Sequence, residues 1–265
     1  MARARHIGII GFGAIGRDLY AHLASDPDIR MTVLLRETSN ALKAVASSAA
    51  VATSLPDFIA SKPDIVVEAA GQAVVGEYVP ELLRSGIPVI VASTGALGDA
   101  SLLHSLAESA GEGRATVTIP AGALGGLDYL VALRSVPDAQ VRYTSRKPPA
   151  AWDAELRALR QDPQALAAEF VLFEGAAAEA ARRYPRNLNA GLTVALAAGA
   201  DRTIVRAVAD PAARHNTHEI AVESSAGSAS MTFANRPSAA NPKTSALTAL
   251  SLAAAVRRHF ASIII

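Results

Sequence analysis

The sequence predicts an α/β protein: an N-terminal parallel sheet clad by helices, then a second, α+β domain, then a C-terminal helix. Three observations carry this. Over the first 120 residues short apolar runs alternate with segments of helical period, the pattern of strand–helix–strand units that build a parallel sheet. A glycine-punctuated turn follows the first apolar run. After Pro120 the alternation stops, and three strand-like segments succeed one another without helices between them, which points to antiparallel pairing.

Ile7, Ile9 and Ile10 read as a buried strand. Gly11, Gly13 and Gly16 then spell G-x-G-x-x-G, and Leu19, Tyr20 and Leu23 follow at helical spacing. In such a turn the first glycine permits the tight bend, the second admits a pyrophosphate against bare backbone, and the third lets the helix pack on the strand. The phosphates lie at the helix N-terminus, where free N–H groups and the helix dipole favour negative charge. A lone motif of this kind can be an ordinary strand–helix turn; between the first strand and first helix of a chain it is a Rossmann dinucleotide-binding fingerprint. Gly11, Gly13, Ala14, Ile15 and Gly16 are therefore the expected cofactor contacts.

A second strand over 31–35 leads to Arg36, twenty residues after Gly16. NAD-specific sites place an acidic residue near this point to hold the ribose 2′-hydroxyl. A guanidinium there suits a 2′-phosphate and stacks on adenine, which predicts use of NADP, with NAD also accepted. In the other reading Arg36 faces solvent and Glu37 takes the ribose. The cofactor is thus NAD or NADP. Beyond it come a short helix at 41–46, a weak strand at 50–53, a helix at 55–60, a buried strand at 64–70 ending in Gly71, a helix at 74–85 and a strand at 88–92. A loop at 93–97, a helix at 102–110 and a last strand at 115–119 complete about six parallel strands. Ligands of such sheets bind outside the carboxyl ends of the strands. That puts the segments 68–71, with Ala70 and Gly71, and 93–95 near the cofactor.

The expected domains are 1–120, a Rossmann domain; 121–240, an α+β catalytic domain; and 241–265, a helix packing back on the first. In the second, a glycine-rich loop at 121–128 enters a helix through Leu133, with Asp128 at its start. A strand at 140–145 has Val141 and Tyr143 on one face. The segments 154–160, 163–170, 175–183 and 190–198 read as helices, and 203–209, 217–222 and 228–233 as strands. Asn241 and Pro242 read as the cap and first position of the last helix.

Of 265 residues 51% are hydrophobic and 18% charged, the formal net charge is +1, and there is no cysteine. A nucleic-acid surface would need a clear basic excess. The lack of cysteine excludes disulfides, thiolate catalysis and Cys–zinc sites. No signal-peptide pattern and no apolar span of about twenty residues is seen, so a soluble, cytoplasmic protein without nucleic-acid or membrane partners is expected. Only four of the 25 basic residues are lysines, a bias of the kind genome composition produces.

Four segments now stand in a familiar order: Ile119-Pro120-Ala121-Gly122-Ala123-Leu124-Gly125-Gly126-Leu127-Asp128, Tyr184-Pro185-Arg186-Asn187-Leu188-Asn189, Asn216-Thr217-His218-Glu219-Ile220 and Asn241-Pro242-Lys243-Thr244-Ser245. With the glycine turn, Val67-Glu68-Ala69-Ala70-Gly71 and Ser93-Thr94-Gly95-Ala96-Leu97, they make the chain resemble the L-aspartate dehydrogenase family over nearly its whole length. The resemblance implies a Rossmann domain with an α/β catalytic domain, a homodimer, and oxidation of L-aspartate by NAD or NADP through iminosuccinate to oxaloacetate and ammonia, or the reverse amination. It implies a link to NAD biosynthesis, which uses iminosuccinate. It also implies Ala123 and Asn189 as cofactor contacts and His218 as the catalytic histidine.

The chemistry asks for the same residue types. An amine must lose its proton before hydride leaves, and the imine must then meet an activated water; a base with a pKa near working pH serves both, and histidine is the natural one. Of six histidines His6 opens the first strand and reads as structural, while His22, His104 and His259 lie on predicted helices at the surface. His218, at a strand start, is the leading candidate, and His215 the runner-up, with loop packing as its other role. The pair does not converge on a metal from a strand. Two substrate carboxylates call for cations or helix N-termini. Lys243 and Thr244 are the expected contacts, against a simple helix-capping role for the segment; Arg186 and Arg236 are weaker candidates. Asn187 and Asn189 precede an apolar helix that one of them can cap while the other bonds the nicotinamide carboxamide. Competing readings are another amino-acid dehydrogenase or reductase, of homoserine or dihydrodipicolinate type, and a non-catalytic NAD(P)H-binding sensor.

Overall fold

The apolar run at the N-terminus forms β1, Arg5–Ile10, in the middle of a six-stranded parallel sheet of order β3-β2-β1-β4-β5-β6. The computed structural model describes residues 4–45, 49–184, 188–239 and 241–264, with the side chains of Pro242 and Lys243 outside the description. The other strands of this sheet are β2 (Ile29–Leu34), β3 (Ala50–Ala52), β4 (Ile65–Glu68), β5 (Val89–Val91) and β6 (Val117–Thr118). Between them run α1 (Ala14–Leu23), α2 (Leu42–Val45), α3 (Leu55–Ala60), α4 (Gln72–Arg84) and α5 (Ala100–Gly113). Helices on both faces bury the central strands, which is why these read as unbroken apolar runs rather than alternating ones. Ile7, Ile9, Val33, Val66 and Val67 have no exposed surface.

The chain divides into two units, Met1–Gly122 with Thr248–Ile265, and Ala123–Leu247. The C-terminal helix, α10 (Ala246–His259), supplies Leu252, Ala253 and Val256 to the same core as Ile7, Ile9 and Leu19. Its Ser251 hydroxyl accepts from the Gly122 amide at 2.9 Å, and Arg257 donates to the His22 carbonyl.

The second unit holds α6 (Leu127–Ala132), β7 (Gln140–Lys147), α7 (Asp153–Ala158), β8 (Phe170–Ala176), α8 (Ala177–Arg183), α9 (Asn189–Ala198), β9 (Thr203–Ala209), β10 (Thr217–Ser224) and β11 (Gly227–Ala234). Its five strands run β11-β10-β7-β9-β8. Three sequence expectations need correction here. The sheet is mixed: β7 and β9 pair in parallel, because the chain between them returns along β8, which pairs antiparallel with β9, and β7 separates β9 from β10. The expected helix at 163–170 is absent. Asp162 closes a turn by accepting from the Gln164 amide at 3.0 Å, and the aromatic, β-branched run from Phe170 pairs with β9 instead. Finally, Asn241 and Pro242 do not start the last helix. Asn241–Ser245 is a strand, β13, paired with β12 (Pro237–Ser238), and Ser245 caps α10 by accepting from the Leu247 amide at 3.1 Å. A serine hydroxyl on the second helical amide is an ordinary N-cap; the pairing with β12 already holds the backbone before it.

Candidate active site

In the first unit the strand order reverses at β1 and β4, and the carboxyl ends of these strands form the crevice where such sheets bind ligands. The three motif glycines have separable reasons. Gly11 adopts φ +89°, and a Cβ there would stand 2.8 Å from Ala70 Cα. A Cβ on Gly16 would overlap the Gly11 carbonyl oxygen. Gly13 has an ordinary φ of −71°, is exposed, and a Cβ on it would meet no atom within 4 Å. Neither backbone nor packing requires a glycine at 13, and the open space beside its main chain leaves room for a ligand to approach the backbone. The helix beyond fits an anion. Gly13 offers no side-chain cap to α1, whose first turn holds no acidic residue, so the amides of its first turn keep their positive end. By contrast α5 is capped by the Asp99 carboxylate and α3 by the Ser54 hydroxyl.

Glu68 closes the other side of this crevice. It ends β4 fully buried, and its carboxylate accepts from the amides of Ala70 and Gly71 at 2.8 Å each, and from the Ser93 amide and hydroxyl at 3.0 and 2.9 Å. Four donors satisfy a buried carboxylate without a cation and fix the loop after β4 to the loop after β5. Ala70 and Gly71 thereby stand beside the glycine turn. Arg36 is exposed at the end of β2, with its field reaching Tyr78 on α4. The residues of this unit fit a dinucleotide: main-chain groups of Gly11 to Gly16 for the pyrophosphate, with Arg36 beyond.

In the second unit the candidate site is a sheet face. Cross-strand partners point to the same side. His218 on β10 stands opposite Ser145 on β7 and Phe233 on β11, and alternation adds Tyr143 and Lys147 to that side. His218 is 8% exposed, and its Nδ1 lies 2.7 Å from the Tyr143 hydroxyl, the two rings stacked with centroids 6.0 Å apart. The Nε2 atom has no hydrogen-bond partner among the described residues. Burial, with the Lys147 charge in the same direction, lowers the His218 pKa to about 4, so the imidazole is neutral at physiological pH. Burial holds the Tyr143 phenol well above its ordinary value, and the adjacent Ser145 hydroxyl offsets this only in part. The Ser145 oxygen itself is buried and outside hydrogen-bond geometry for any described group. The Lys147 ammonium lies 4.6 Å from the centre of the buried Trp152 ring.

Elements that carry two further expected residues pack on this face. Asn189 is the first residue of α9, whose Gly191 packs so closely on Tyr143 that a Cβ would stand 3.1 Å from the ring. Leu188, not Asn189, takes the cap position, and Asn187 and Arg186 lie outside the described residues. The loop with Ala123 runs along β11: the Asn235 amide donates to the Ala123 carbonyl at 2.7 Å, and a Cβ on Gly125 would stand 3.0 Å from the Phe233 ring. His215 is exposed on a bend and apart from the cluster. Lys243 and Thr244 sit on β13 rather than in a helical turn, and the Lys243 side chain lies outside the described residues. His6 is structural, bonded to Thr32 Oγ1 at 2.8 Å and the Lys62 carbonyl at 3.1 Å. No cluster of metal-ligating side chains and no helix able to cross a membrane occurs among the described residues.

Tyr143, Ser145, Lys147 and Asn235 were not read from sequence as site residues, nor Glu68 as the brace of its loop. A signal existed for β7: Ser145 and Lys147 are polar residues on the parity of Val141 and Tyr143, the apolar side of a strand.

Two family models match successive parts of the chain, the second running on through the last helix. Residues 11–120 match the family described as homoserine dehydrogenase, NAD binding domain, and residues 128–259 the family described as aspartate dehydrogenase, C-terminal. The chain is 46% identical to L-aspartate dehydrogenase 2 of Bordetella bronchiseptica, over 96% of this chain and 97% of that one. It is 40% identical to the L-aspartate dehydrogenase of Cupriavidus taiwanensis, covering 97% and 99% of the two chains. The crystal structure of aspartate dehydrogenase from Thermotoga maritima superposes with a TM-score of 0.79 at 28% identity, covering 98% of this chain and 99% of that one. A glycine turn with open main chain at Gly13 and a buried imidazole on the second sheet thus occur together in a chain that belongs to the L-aspartate dehydrogenase family.

Proposed function

We propose that the protein oxidises L-aspartate with NAD or NADP to iminosuccinate, and then to oxaloacetate and ammonia, or runs the reverse amination. The observation that carries this reading is His218: a buried, neutral imidazole with Nδ1 tied to Tyr143 and Nε2 without a hydrogen-bond partner among the described residues. Bound NAD(P) supplies the acceptor for the hydride that leaves the substrate Cα. The chain's own residues manage position and protons. Gly11, Gly13, Ala14, Ile15 and Gly16 take the pyrophosphate on main-chain groups, Ala70 and Gly71 line the crevice, and Ala123 and Asn189 serve as the cofactor contacts of the second unit. Arg36 is the 2′-phosphate contact if NADP is used.

For Nε2 to accept a proton, Nδ1 must carry the ring hydrogen and donate it to the Tyr143 oxygen; a phenol kept protonated by burial is a suitable acceptor. His218 then takes a proton from the substrate ammonium, which frees the amine lone pair as hydride departs. After that proton passes to solvent, the neutral imidazole takes a proton from the water that adds to the imine carbon and returns it to the nitrogen of the carbinolamine, which leaves as ammonia, carrying off the hydroxyl proton, as the ketone forms. A dianionic substrate favours the imidazolium and so opposes the pull of burial and Lys147 on this group. Lys243 and Thr244 on β13 are our candidates for one of the two carboxylates.

The reading extends to NAD biosynthesis, which uses iminosuccinate, and to a cytoplasmic homodimer. Val171 and Ile204, both exposed on the open side of the second sheet, suit a surface between copies, which sedimentation of the purified protein tests. The reaction is tested by mixing the protein with L-aspartate and either cofactor at alkaline pH. Reduced cofactor should form with equimolar ammonia. L-homoserine or L-alanine replacing aspartate as the better substrate would overturn the assignment.

A further inference from the structure

Ser145 and Lys147 are placed by β7 on the His218 side of the sheet, and nothing in the chemistry above uses them. The Ser145 hydroxyl is fully buried, with no hydrogen-bond partner among the described residues. Buried polar groups are seldom left in that state, and one beside a reactive histidine needs a reason. Lys147 is 6% exposed, an unusual place for an ammonium, and its side chain lies against the buried Trp152 ring. Its charge is felt at His218, where it opposes a second positive charge. The distribution of sign is as telling as the burial. On this side β7 and β10 present Tyr143, Ser145, Lys147 and His218, all able to donate. The carboxylates of β10, Glu219 and Glu223, alternate to the opposite side, where Glu219 accepts from Arg146 at 2.7 Å. A face with a buried cation, an unused hydroxyl and an imidazole is complementary to an anion.

We propose that Lys147 and Ser145 receive one carboxylate of a dicarboxylic amino acid beside His218. The proposal rests on the aspartate-oxidation reading for the identity of that substrate. The ammonium and the hydroxyl both donate to the carboxylate oxygens, charge-assisted hydrogen bonds that are the strong kind. The arrival of the carboxylate also cancels the field of Lys147 at His218. The substrate therefore makes its own base stronger, and an empty site keeps the imidazole neutral.

Succinate, a dicarboxylate without the reacting amine, is the probe, titrated by calorimetry into the protein saturated with NAD or NADP. The L-aspartate KM is measured beside it. Lys147→Met should weaken succinate binding and raise the KM by about 10- to 100-fold, with the cofactor Kd unchanged. Lys147→Arg should recover part of the loss. Ser145→Ala should weaken both by about 3- to 10-fold while leaving Tm equal or higher, because it removes a buried hydroxyl without a partner among the described residues. Should Lys147→Met fail to fold by circular dichroism, Ser145→Ala decides. Unchanged succinate affinity and KM, in a protein that oxidises aspartate, would overturn the carboxylate site and leave the reaction standing. Lys147-dependent succinate binding without aspartate turnover would overturn the reaction and leave the site standing. A wild-type protein that neither binds succinate nor oxidises aspartate would overturn both.

Discussion

The two units build their candidate sites in opposite ways. The first uses main chain: a contiguous glycine turn, an uncapped helix start and a loop braced by one buried carboxylate, Glu68. The second uses side chains gathered by register, with Tyr143, Ser145 and Lys147 from one strand and His218 from its neighbour. A main-chain site tolerates changes of side chain but not the addition of a Cβ where a ligand or carbonyl stands. A register-built site depends on which parity each residue occupies and on the electrostatics of burial. Substitutions in the two units should therefore fail differently.

The largest expected effect is on stability against acid. The unfolded chain takes up a proton on His218 near pH 6.5, but the folded chain does so only near 4. Between these values the unfolded state binds more protons, so stability falls as pH drops from 6.5 toward 4, by about 3 kcal/mol in all from this residue. Denaturant titrations at stepped pH should show the slope, and His218→Gln should remove most of it. His6, also pushed down by burial, keeps the rest. The glycine pair comes next. Gly16→Ala should cost about 2 kcal/mol of stability, because its Cβ meets the Gly11 carbonyl. Gly13→Ala should leave Tm within a degree or two and raise the cofactor Kd about 30-fold, measured by fluorescence of the reduced cofactor. Equal behaviour of the two would remove the distinction drawn between them. Tyr143→Phe should lower kcat about 10-fold, the value of one hydrogen bond that sets the imidazole tautomer, with KM and cofactor Kd little changed. Smallest is Arg36→Asp, expected to shift the NADP/NAD preference about 5-fold toward NAD as one exposed charge contact is lost.

The same contrast explains what could be read without a structure. The first site is local in sequence: turn, helix start and the Ala70–Gly71 loop each lie within a few residues, so their backbone roles are visible as glycines between apolar runs. Even there the brace was hidden, since a glutamate ending an apolar strand gives no hint of its four donors. The second site joins residues of β7 to His218, 71 to 75 positions away, and that requires knowing that β10 pairs with β7. The sequence offers the alternation of β7 but not its neighbour; the run of three strands at 203–233 suggested consecutive pairing, whereas β7 inserts between β9 and β10. His218 was legible only through the resemblance of its motif, and its partner Tyr143 only as an apolar-face aromatic. The last-helix boundary failed for a similar reason: Asn-Pro is a good helix start in isolation, and only the pairing with β12 shows it to be strand.

The claim that the second unit carries the proton chemistry and the first the nucleotide is tested most directly by the rate of cofactor reduction with saturating L-aspartate in His218→Ala, at cofactor concentrations referred to the measured Kd. The account predicts turnover reduced by about a thousandfold with the NAD(P)H Kd of the wild-type protein. Turnover within a few-fold of wild type, at unchanged cofactor affinity, would contradict it.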